Sequence, residues 1–370
     1  MKNRRFLMII GLLLAIGMVL GACGSSDDEG SNGDNEGSDN GDEASGNEDF
    51  SAAMVTDVGG VDDKSFNQSA WEGLKAFGQE NGMEEGEGIA YAQSESDADY
   101  TTNISRLVRD EYDLVYGIGY LLQPDIAKAA EQYPDTNFSI VDSVVEADNA
   151  SSILFKEHQG SFLVGVAAAM KTNSNKVGFV GGVDGDLINK FESGFIAGVK
   201  SINPDIEVEV QYAGAFDAAD DGKVIASQMY SSGIDVIYHA SGGTGNGVFA
   251  QAKDLKKSNP DEDVWVIGVD RDQHEEGQID DMNVTLTSMV KRVDIAIQDM
   301  TTKAMNGEFP GGEIVEYGLE DDAISVARTN EDAMTQDIID AVEEWKQKII
   351  DGEVEVPSTR DETKAFVDSL

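Results

Sequence analysis

The sequence has little of several residue types on which reactive sites depend. Its 370 residues include one cysteine, three histidines and six prolines. A single cysteine excludes an internal disulfide. The histidines (His158, His239 and His274) lack the spacing of metal ligands, and no G-x-S-x-G nucleophile motif occurs. The sequence therefore argues against an enzyme, and it predicts neither a metal site nor a cofactor.

Basic residues are also scarce. The chain has 26 Lys and Arg against 71 Asp and Glu, a formal net charge of -45. Proteins that bind nucleic acid need a basic face to displace counterions, so this balance argues against a nucleic-acid partner. We interpret the acidity as a solvated surface suited to saline or alkaline surroundings, although a cationic ligand or partner is an alternative.

The first 23 residues have the pattern of an export signal. Basic residues at the start precede an apolar run of fifteen residues from 6 to 20, which is short for a permanent membrane span. Leu20-Gly21-Ala22-Cys23 follows and is typical of a lipobox, in which Cys23 receives a lipid. The alternative is an ordinary cleaved signal followed by a free cysteine. We expect lipidation at Cys23 and a lipid-anchored protein on the extracytoplasmic face of the cell membrane.

Residues 24–49 have the composition of a tether. They are Gly, Ser, Asn, Asp, Glu and one Ala, with ten acids and no basic residue. Such a segment cannot bury enough apolar surface to offset its chain entropy, and like charges keep it extended. About 320 residues remain after it, more than one core usually serves, which predicts two domains.

The remaining chain is organised around the stretch from Asp57 to Lys75. A short apolar strand at 52–55 precedes a double glycine, and a helix with its apolar face at Trp71, Leu74 and Phe77 follows. Ser65 is the expected N-cap of that helix. Ligands collect at the carboxyl ends of strands in open α/β sheets, so the intervening loop is a candidate binding edge. An ordinary acidic helix start is the alternative.

Strands and helices of this kind alternate along the whole chain, which is typical of parallel sheets with crossover helices. The pattern restarts near residue 158. The predicted fold class is therefore α/β, with two doubly wound parallel-sheet lobes as in type I periplasmic-binding proteins. Lobe 1 is expected at 50–157 plus 289–318, and lobe 2 at 158–288 plus 319–370.

Several loops carry residues suited to binding a polar ligand. The run from Ser241 to Gly247 follows a strand and precedes a helix, so the backbone amides of Gly242 and Gly243 are candidate donors, unless the run is only a tight turn. Asp270 ends a buried strand, where a carboxylate suits paired hydroxyls, although such acids more often cap helices. Lys291 is a candidate ligand contact, or the partner of an acid.

Three phenylalanines, Phe66, Phe191 and Phe216, lie between polar neighbours in loops or at helix starts. Phenyl rings in such places stack on flat heteroaromatic rings, although core packing is the more usual role. The residues alone leave these two interpretations open.

Taken together, the motifs resemble those of one family over residues 52 to 345. The chain resembles the basic membrane protein (BMP) family of bacterial ABC-transporter substrate-binding lipoproteins, whose best understood members bind purine nucleosides. The motifs that carry the resemblance are TDVGGVDDKSFNQSAWEG, SFLVGVAA, KVGFVGGVD, FESGFIAG, GAFD, ASGGTGNGVF, GVDRDQ and TSMVKRVD.

The resemblance implies a role for each candidate residue. Phe66 and Phe216 would sandwich the base, with Phe191 as a further wall. The residues expected to contact the base edge are Asp57, Asn67 and Asp142. The residues expected to hold the ribose are Asp270, Lys291, Gly242 and Gly243.

The function predicted in this way is capture of a purine nucleoside in a cleft between two lobes for an ABC permease. We expect a monomer that closes on its ligand by hinge motion. Two alternatives stay open at this point: a binding protein for a sugar or another small solute, and a surface receptor for a macromolecule.

Overall fold

The structure is a computed structural model that describes residues 50–370. The predicted signal peptide, Cys23 and the acidic tether lie outside the described residues. Across the described range, every helix is too short or too polar to cross a membrane.

Residues 50–370 contain fourteen strands and ten α-helices. The strands are β1 (Ala52–Val55), β2 (Ile89–Ala92), β3 (Leu114–Ile118), β4 (Asn137–Val141), β5 (Ala150–Phe155), β6 (Lys176–Gly181), β7 (Glu207–Tyr212), β8 (Val236–Ala240), β9 (Trp265–Asp270), β10 (Gln278–Ile279), β11 (Met282–Asn283), β12 (Thr285–Lys291), β13 (Ile314–Tyr317) and β14 (Ile324–Val326). The helices are α1 (Phe66–Glu80), α2 (Tyr100–Arg109), α3 (Gln123–Gln132), α4 (Glu157–Lys171), α5 (Asp186–Ile202), α6 (Ala219–Ser231), α7 (Gly245–Ser258), α8 (Val293–Met305), α9 (Gln336–Ile350) and α10 (Arg360–Asp368).

Twelve of these strands form two six-stranded sheets with the same order of connections. The first sheet runs β2-β1-β3-β4-β5-β13 and is parallel throughout. The second runs β7-β6-β8-β9-β12-β14 and is parallel except for its edge strand β14, which pairs antiparallel with β12. We call each sheet with its helices a lobe: the first lobe is 50–155 plus 293–317, and the second is 157–291 plus 319–370.

Strand β1 shows why the sheets are covered on both faces. Its four residues Ala-Ala-Met-Val are all buried. Met54 lies in the core shared with α1 and α8, whereas Ala53 and Val55 lie in the core shared with α2 and α3. Because neighbouring side chains of a strand point to opposite faces, an unbroken apolar run is what a doubly wound sheet requires. The predicted α/β architecture is confirmed.

The chain crosses between the lobes at three places: between β5 and α4, between β12 and α8, and after β13. The predicted boundary at 288/289 is wrong, because β12 stays in the second sheet as far as Lys291, where it pairs with β14. Glu157 is the first residue of α4 and also belongs to the second lobe. Both residues therefore approach the interlobe boundary from the second lobe.

Helices α4 and α5 pack closely in the second lobe. A Cβ atom added at Gly194 of α5 would lie 2.1 Å from the carbonyl oxygen of His158, and one added at Gly198 would lie 2.0 Å from that of Phe162. Helix α4 also packs closely on its sheet, since a Cβ atom at Gly160 would lie 2.5 Å from Ile324 of β14. Glycines therefore allow close packing both between the two helices and between α4 and the sheet.

The carboxyl-terminal part adds a strand to the first sheet and two helices to the second lobe. The segment 311–319 contains β13, the parallel edge strand beside β5. Helix α10 follows α9 and packs on α5. Thr359 caps α10 by accepting from the backbone N–H of Glu362 at 3.3 Å. The Thr-x-x-Glu pattern at 359–362 is a capping box, which the sequence already displayed.

Candidate functional site: the interlobe cleft

One cavity lies between the lobes, at the carboxyl ends of both sheets. It encloses about 560 Å³ of space between the protein atoms, part of which is open to solvent. Every predicted ligand-binding residue lines it: Asp57, Phe66, Asn67, Asp142, Phe191, Phe216, Gly242, Gly243, Asp270 and Lys291. The topology places the ends of β1, β3 and β4 opposite those of β6, β8 and β9, which explains why distant residues meet here.

Asp57 stands at the exit of β1 and is buried. Its Oδ1 accepts hydrogen bonds from the backbone N–H of Gly59 at 2.8 Å and from Nδ2 of Asn67 at 2.7 Å. Burial raises the pKa of Asp57 to about 6, and these two hydrogen bonds limit the rise. The carboxyl group therefore titrates close to neutral pH.

Asp63, which sequence reasoning missed, organises the start of α1. Its carboxylate accepts from the backbone N–H groups of Ser65, Asn67 and Gln68 at 2.8 to 3.1 Å. Burial raises its pKa, and the donated hydrogen bonds oppose the rise. The expected cap, Ser65, makes no such bond, so the capping prediction was wrong by two residues. The sequence signal that could have identified Asp63 is an acidic residue shortly before the start of a helix, where such residues commonly cap the free N–H groups.

Asn67 is held from two sides. Its Nδ2 donates to Asp57 Oδ1 and to Asp63 Oδ2, the latter at 3.1 Å. Among the described residues, its Oδ1 has no hydrogen-bond partner although it is buried. An unsatisfied buried acceptor costs about 1–3 kcal/mol, so the site offers this oxygen to a donor from outside the protein.

Lys291 joins the lobes through a buried ion pair. Its Nζ donates to the two carboxylate oxygens of Asp142 at 2.7 and 2.6 Å, and to Glu157 Oε1 at 3.3 Å. The Lys291 side chain is 1% exposed. Burial disfavours its charge, but Asp142, Glu157 and Asp270 together raise its pKa above the ordinary value. Glu157 was missed because an acid at a helix start looks like an ordinary cap.

Asp270 occupies the position in the second sheet that Asp142 occupies in the first. Both residues follow directly from the body of their strands and have φ of 65°, a left-handed conformation that side chains other than Gly, Asn and Asp rarely adopt. Ser65 donates its hydroxyl to Asp270 Oδ2. Burial raises the pKa of Asp270 to about 7, and Lys291 and Ser65 limit the rise.

Aromatic rings enter the cavity from both lobes. Phe66 belongs to the first lobe, and its ring centroid is 5.1 Å from Lys291 Nζ. Phe191 and Phe216 belong to the second lobe, and the Phe216 ring meets that of Tyr120 edge to face with centroids 6.3 Å apart. A side chain at Gly182 would lie 2.3 Å from the Phe216 ring. The glycine after β6 therefore makes room for this ring.

Gly242 and Gly243 begin a short 3-10 turn that leads into α7. Gly242 has φ of 54°. The Thr244 side chain fixes this turn to the segment that carries Phe216, because it accepts from Ala218 N–H at 2.9 Å and donates to the Ala215 carbonyl at 2.8 Å. The glycine loop and the Phe216 ring are thus positioned together.

Further residues line the cavity that sequence reasoning did not single out. They are Gly59, Asp63, Gly119, Tyr120, Leu121, Leu187, Ile188, Ala240, Ser241 and Val269. Several of them directly follow β3 or β8, so the rule that ligands collect at carboxyl ends of strands could have found them. Within residues 50–370, no cluster of His, Cys, Asp and Glu is suited to a metal ion.

Comparison with known proteins identifies the architecture. Residues 50–360 match the family model described as ABC transporter substrate-binding protein PnrA-like. The chain belongs to this PnrA-like family. Its members are solute-binding proteins of ABC transporters and not enzymes, which confirms the resemblance to basic membrane proteins and the expected absence of catalysis. Such proteins act outside the cytoplasm, bind small molecules and deliver them to a permease.

Individual relatives support the assignment to the PnrA-like family. The chain is 54% identical to the CD4+ T-cell-stimulating antigen of Listeria innocua, over 96% of this chain and 99% of that protein. It is 43% identical, over the same shares, to the ABC transporter nucleoside-binding protein BmpA of Lactococcus lactis subsp. cremoris. A solute-binding protein of an ABC transporter from Aeropyrum pernix K1 superposes with a TM-score of 0.76 at 27% identity, covering 86% and 96% of the two chains.

Proposed function

We propose that this PnrA-like protein captures purine nucleosides in the interlobe cleft and presents them to an ABC importer. The observation that carries the proposal is the composition of one cavity, which combines aromatic rings from both lobes with fixed hydrogen-bonding groups. A nucleoside has a flat, aromatic base and a ribose with neighbouring hydroxyls, so it requires both kinds of group. The nucleoside-binding name of the lactococcal relative agrees with this assignment.

The base would lie between Phe66 and Phe216, with Phe191 as a further apolar wall. Asp57 and the free Oδ1 of Asn67 are acceptors for N–H groups on the base edge. Because the pKa of Asp57 is about 6, this carboxyl group can accept as a carboxylate or donate as an acid near neutral pH. Asp142 also lines this region, and since both of its oxygens accept from Lys291, it would contact the base through its remaining lone pairs.

The ribose would lie at the second lobe. Asp270 can accept from two neighbouring hydroxyls, and charge strengthens such hydrogen bonds. Lys291 and the backbone of Gly242 and Gly243 line the same cavity and would supply donors. Among the described residues, Ser65 is the hydrogen-bond donor to Asp270.

We further propose that a lipid on Cys23 anchors the protein and that residues 24–49 act as its tether. A charged tether keeps the binding unit at the membrane surface while leaving it free to reach a permease. Expression with and without Cys23→Ala tests this proposal. We expect the native chain to fractionate with membranes and to carry an acylated amino-terminal peptide in mass spectrometry. A native chain recovered in the soluble fraction without an acylated amino-terminal peptide would contradict the anchor.

The nucleoside assignment is tested by thermal unfolding with guanosine, inosine, adenosine, cytidine, uridine, free bases, ribose and arabinose. A ligand at 100 times its Kd adds about 2.7 kcal/mol to the free energy of unfolding. We expect purine nucleosides to stabilise the protein and ribose to have no effect. Stabilisation by sugars alone would favour a sugar-binding protein. No response from protein that is free of carried-over ligand would favour a receptor for a macromolecule.

A further inference from the structure

Three consecutive residues of the first lobe, Asp63, Lys64 and Ser65, each bond to the second lobe. We call them the clasp. The carbonyl oxygen of Asp63 accepts from Asn246 Nδ2 at 3.1 Å, and that of Lys64 accepts from Gln273 Nε2 at 2.9 Å. The Ser65 hydroxyl donates to Asp270. The clasp directly precedes Phe66 and Asn67, which line the cavity.

Gln273 is held in the orientation that the clasp needs. It is 1% exposed, and its Oε1 accepts from Val269 N–H at 2.9 Å and lies 2.9 Å from His239 Nε2. Burial lowers the pKa of His239 to about 4, so the ring is neutral and carries its proton on Nε2 as the donor. With Oε1 occupied inside the second lobe, the amide nitrogen of Gln273 points across the boundary to Lys64.

In the first lobe, the backbone conformation of Lys64 directs its carbonyl oxygen to Gln273. Lys64 has φ of 63°, a conformation that is costly for a lysine. It is stabilised by neighbours, because Asp63 binds the N–H groups on its carboxyl side and Gln273 binds its carbonyl oxygen. Neither Asn246 nor Gln273 lines the cavity. Their contacts with the clasp connect the lobes without touching a ligand.

From these contacts we infer that Asn246 and Gln273 are positioning residues that set ligand affinity by stabilising the closed cleft. A bond made only when the lobes are together shifts the equilibrium toward the closed form, and observed affinity rises with the closed fraction. The clasp also aligns Phe66 and Asn67 with the second lobe at the moment of closure. The affinity part of this inference rests on the proposed nucleoside function.

Asn246→Ala is the cleanest test. Among the described residues, Asn246 Oδ1 has no partner, so the substitution removes one interlobe hydrogen bond and leaves the second lobe otherwise intact. We expect guanosine affinity to fall about fivefold, the equivalent of one typical hydrogen bond. The loss should lie in the dissociation rate, with an association rate within about twofold of the native value.

Gln273→Met provides a second variant of similar length, with an expected loss of the same order, because only one of the three hydrogen bonds of Gln273, the one to Lys64, crosses between the lobes. Lys223→Gln is the matched control. Lys223 pairs with Asp254 at 2.7 Å within the second lobe, and the two side chains are 43% and 54% exposed. Exposed ion pairs contribute little to stability, and this pair does not cross between the lobes, so the variant should bind guanosine as the native protein does. Native affinity and dissociation rate in both clasp variants would overturn the inference.

Spin labels on one exposed residue of each lobe separate this inference from the proposed function. In ligand-free protein, Asn246→Ala and Gln273→Met should shift the interlobe distance distribution toward longer distances, and Lys223→Gln should not. A shift together with no response to any nucleoside would uphold the clasp and reject the nucleoside. Nucleoside binding by the native protein with no shift and no change in dissociation rate would reject the clasp alone.

Discussion

Asp142 and Asp270 occupy equivalent positions in the two lobes, with the same strand order around them and the same φ of 65°. Asp142 is paired across the boundary with Lys291 through both carboxylate oxygens. Asp270 receives one short hydrogen bond, from Ser65. Topology therefore fixes where a carboxylate stands, whereas its neighbours decide whether it acts as a structural ion pair or as an acceptor open to a ligand.

The rest of the cleft shows the same division. The first lobe ends its strands in Asp57 and Tyr120, and the second ends the corresponding strands in Gly182 and Gly242. At these strand ends the first lobe thus offers the carboxylate of Asp57, whereas the second offers backbone and space for the Phe216 ring. A repeated architecture provides two half-sites, and a nucleoside, which has a base and a sugar, needs two different halves.

The largest effect should come from breaking the ion pair of the first half-site. Lys291→Met leaves Asp142 and Glu157 buried without their cation, and removing one partner of a buried pair typically costs 3–5 kcal/mol. We expect the urea midpoint to fall accordingly and nucleoside binding to be lost. Lys364→Met, which removes an exposed pair with Asp368, is the control. Equal midpoints for the two variants would contradict a structural role for Lys291.

The second prediction concerns pH and the aspartate of the second half-site. The folded-state pKa of Asp270 is about 7, above the ordinary value of roughly 3.9. Between about pH 4 and pH 7, Asp270 therefore binds more protons in the folded protein than in the unfolded chain. Its contribution to the free energy of unfolding is fully present below about pH 4 and is lost as pH rises through 7. Asp270→Asn cannot titrate at this position.

We accordingly expect the free energy of unfolding of ligand-free native protein to fall between pH 5 and pH 8 by more than that of Asp270→Asn. The difference should be on the order of 2 kcal/mol. Denaturant titrations at the two pH values measure it. Asp57 is present in both proteins, so its contribution to the pH dependence of unfolding cancels when the two are compared. Parallel pH profiles would show that Asp270 is charged throughout this range.

The third prediction tests the ligand role of the same residue. Asp270→Ala should reduce nucleoside affinity by more than about 1.5 kcal/mol, because a charge-assisted pair of hydrogen bonds is lost. Isothermal titration calorimetry with guanosine measures the loss. Asp272→Ala, two residues away and outside the cavity lining, is the control. Unchanged affinity in Asp270→Ala would remove the ribose role.

The smallest effects should come from the two rings. Leucine keeps most of the apolar volume of phenylalanine but loses the aromatic face, whose contribution to a stacked pair is about 0.5–1.5 kcal/mol. Phe66→Leu and Phe216→Leu should therefore each weaken guanosine binding by about 1 kcal/mol, with the larger loss at Phe66, which also contacts Lys291. Binding of ribose-free bases should weaken in the same order. If one of the two variants bound guanosine with native affinity, the base would stack on a ring of only one lobe.

Local patterns in the sequence predicted much of this molecule. Buried runs such as Ala52–Val55 identified the strands, because only a sheet covered on both faces tolerates them. Glycines and acids after those strands, together with the motifs that resemble the basic membrane protein family, identified ten residues that the fold brings to one cavity. The same reasoning failed at Ser65, since an N-cap depends on which nearby oxygen reaches the free amides, and here Asp63 does so.

The sequence by itself determined the α/β architecture and the edge of each sheet at which the interlobe cavity lies, because periodicity and strand direction are local properties. Only the tertiary structure decided the partners of each charged group. Lys291 proved to belong to the second lobe, so its contact with Asp142 connects the lobes. Asp63, Glu157 and Gln273 acquired their roles through neighbours distant in sequence. Hydrogen bonds and ion pairs act over a few ångströms, and only the folded chain determines which groups come that close.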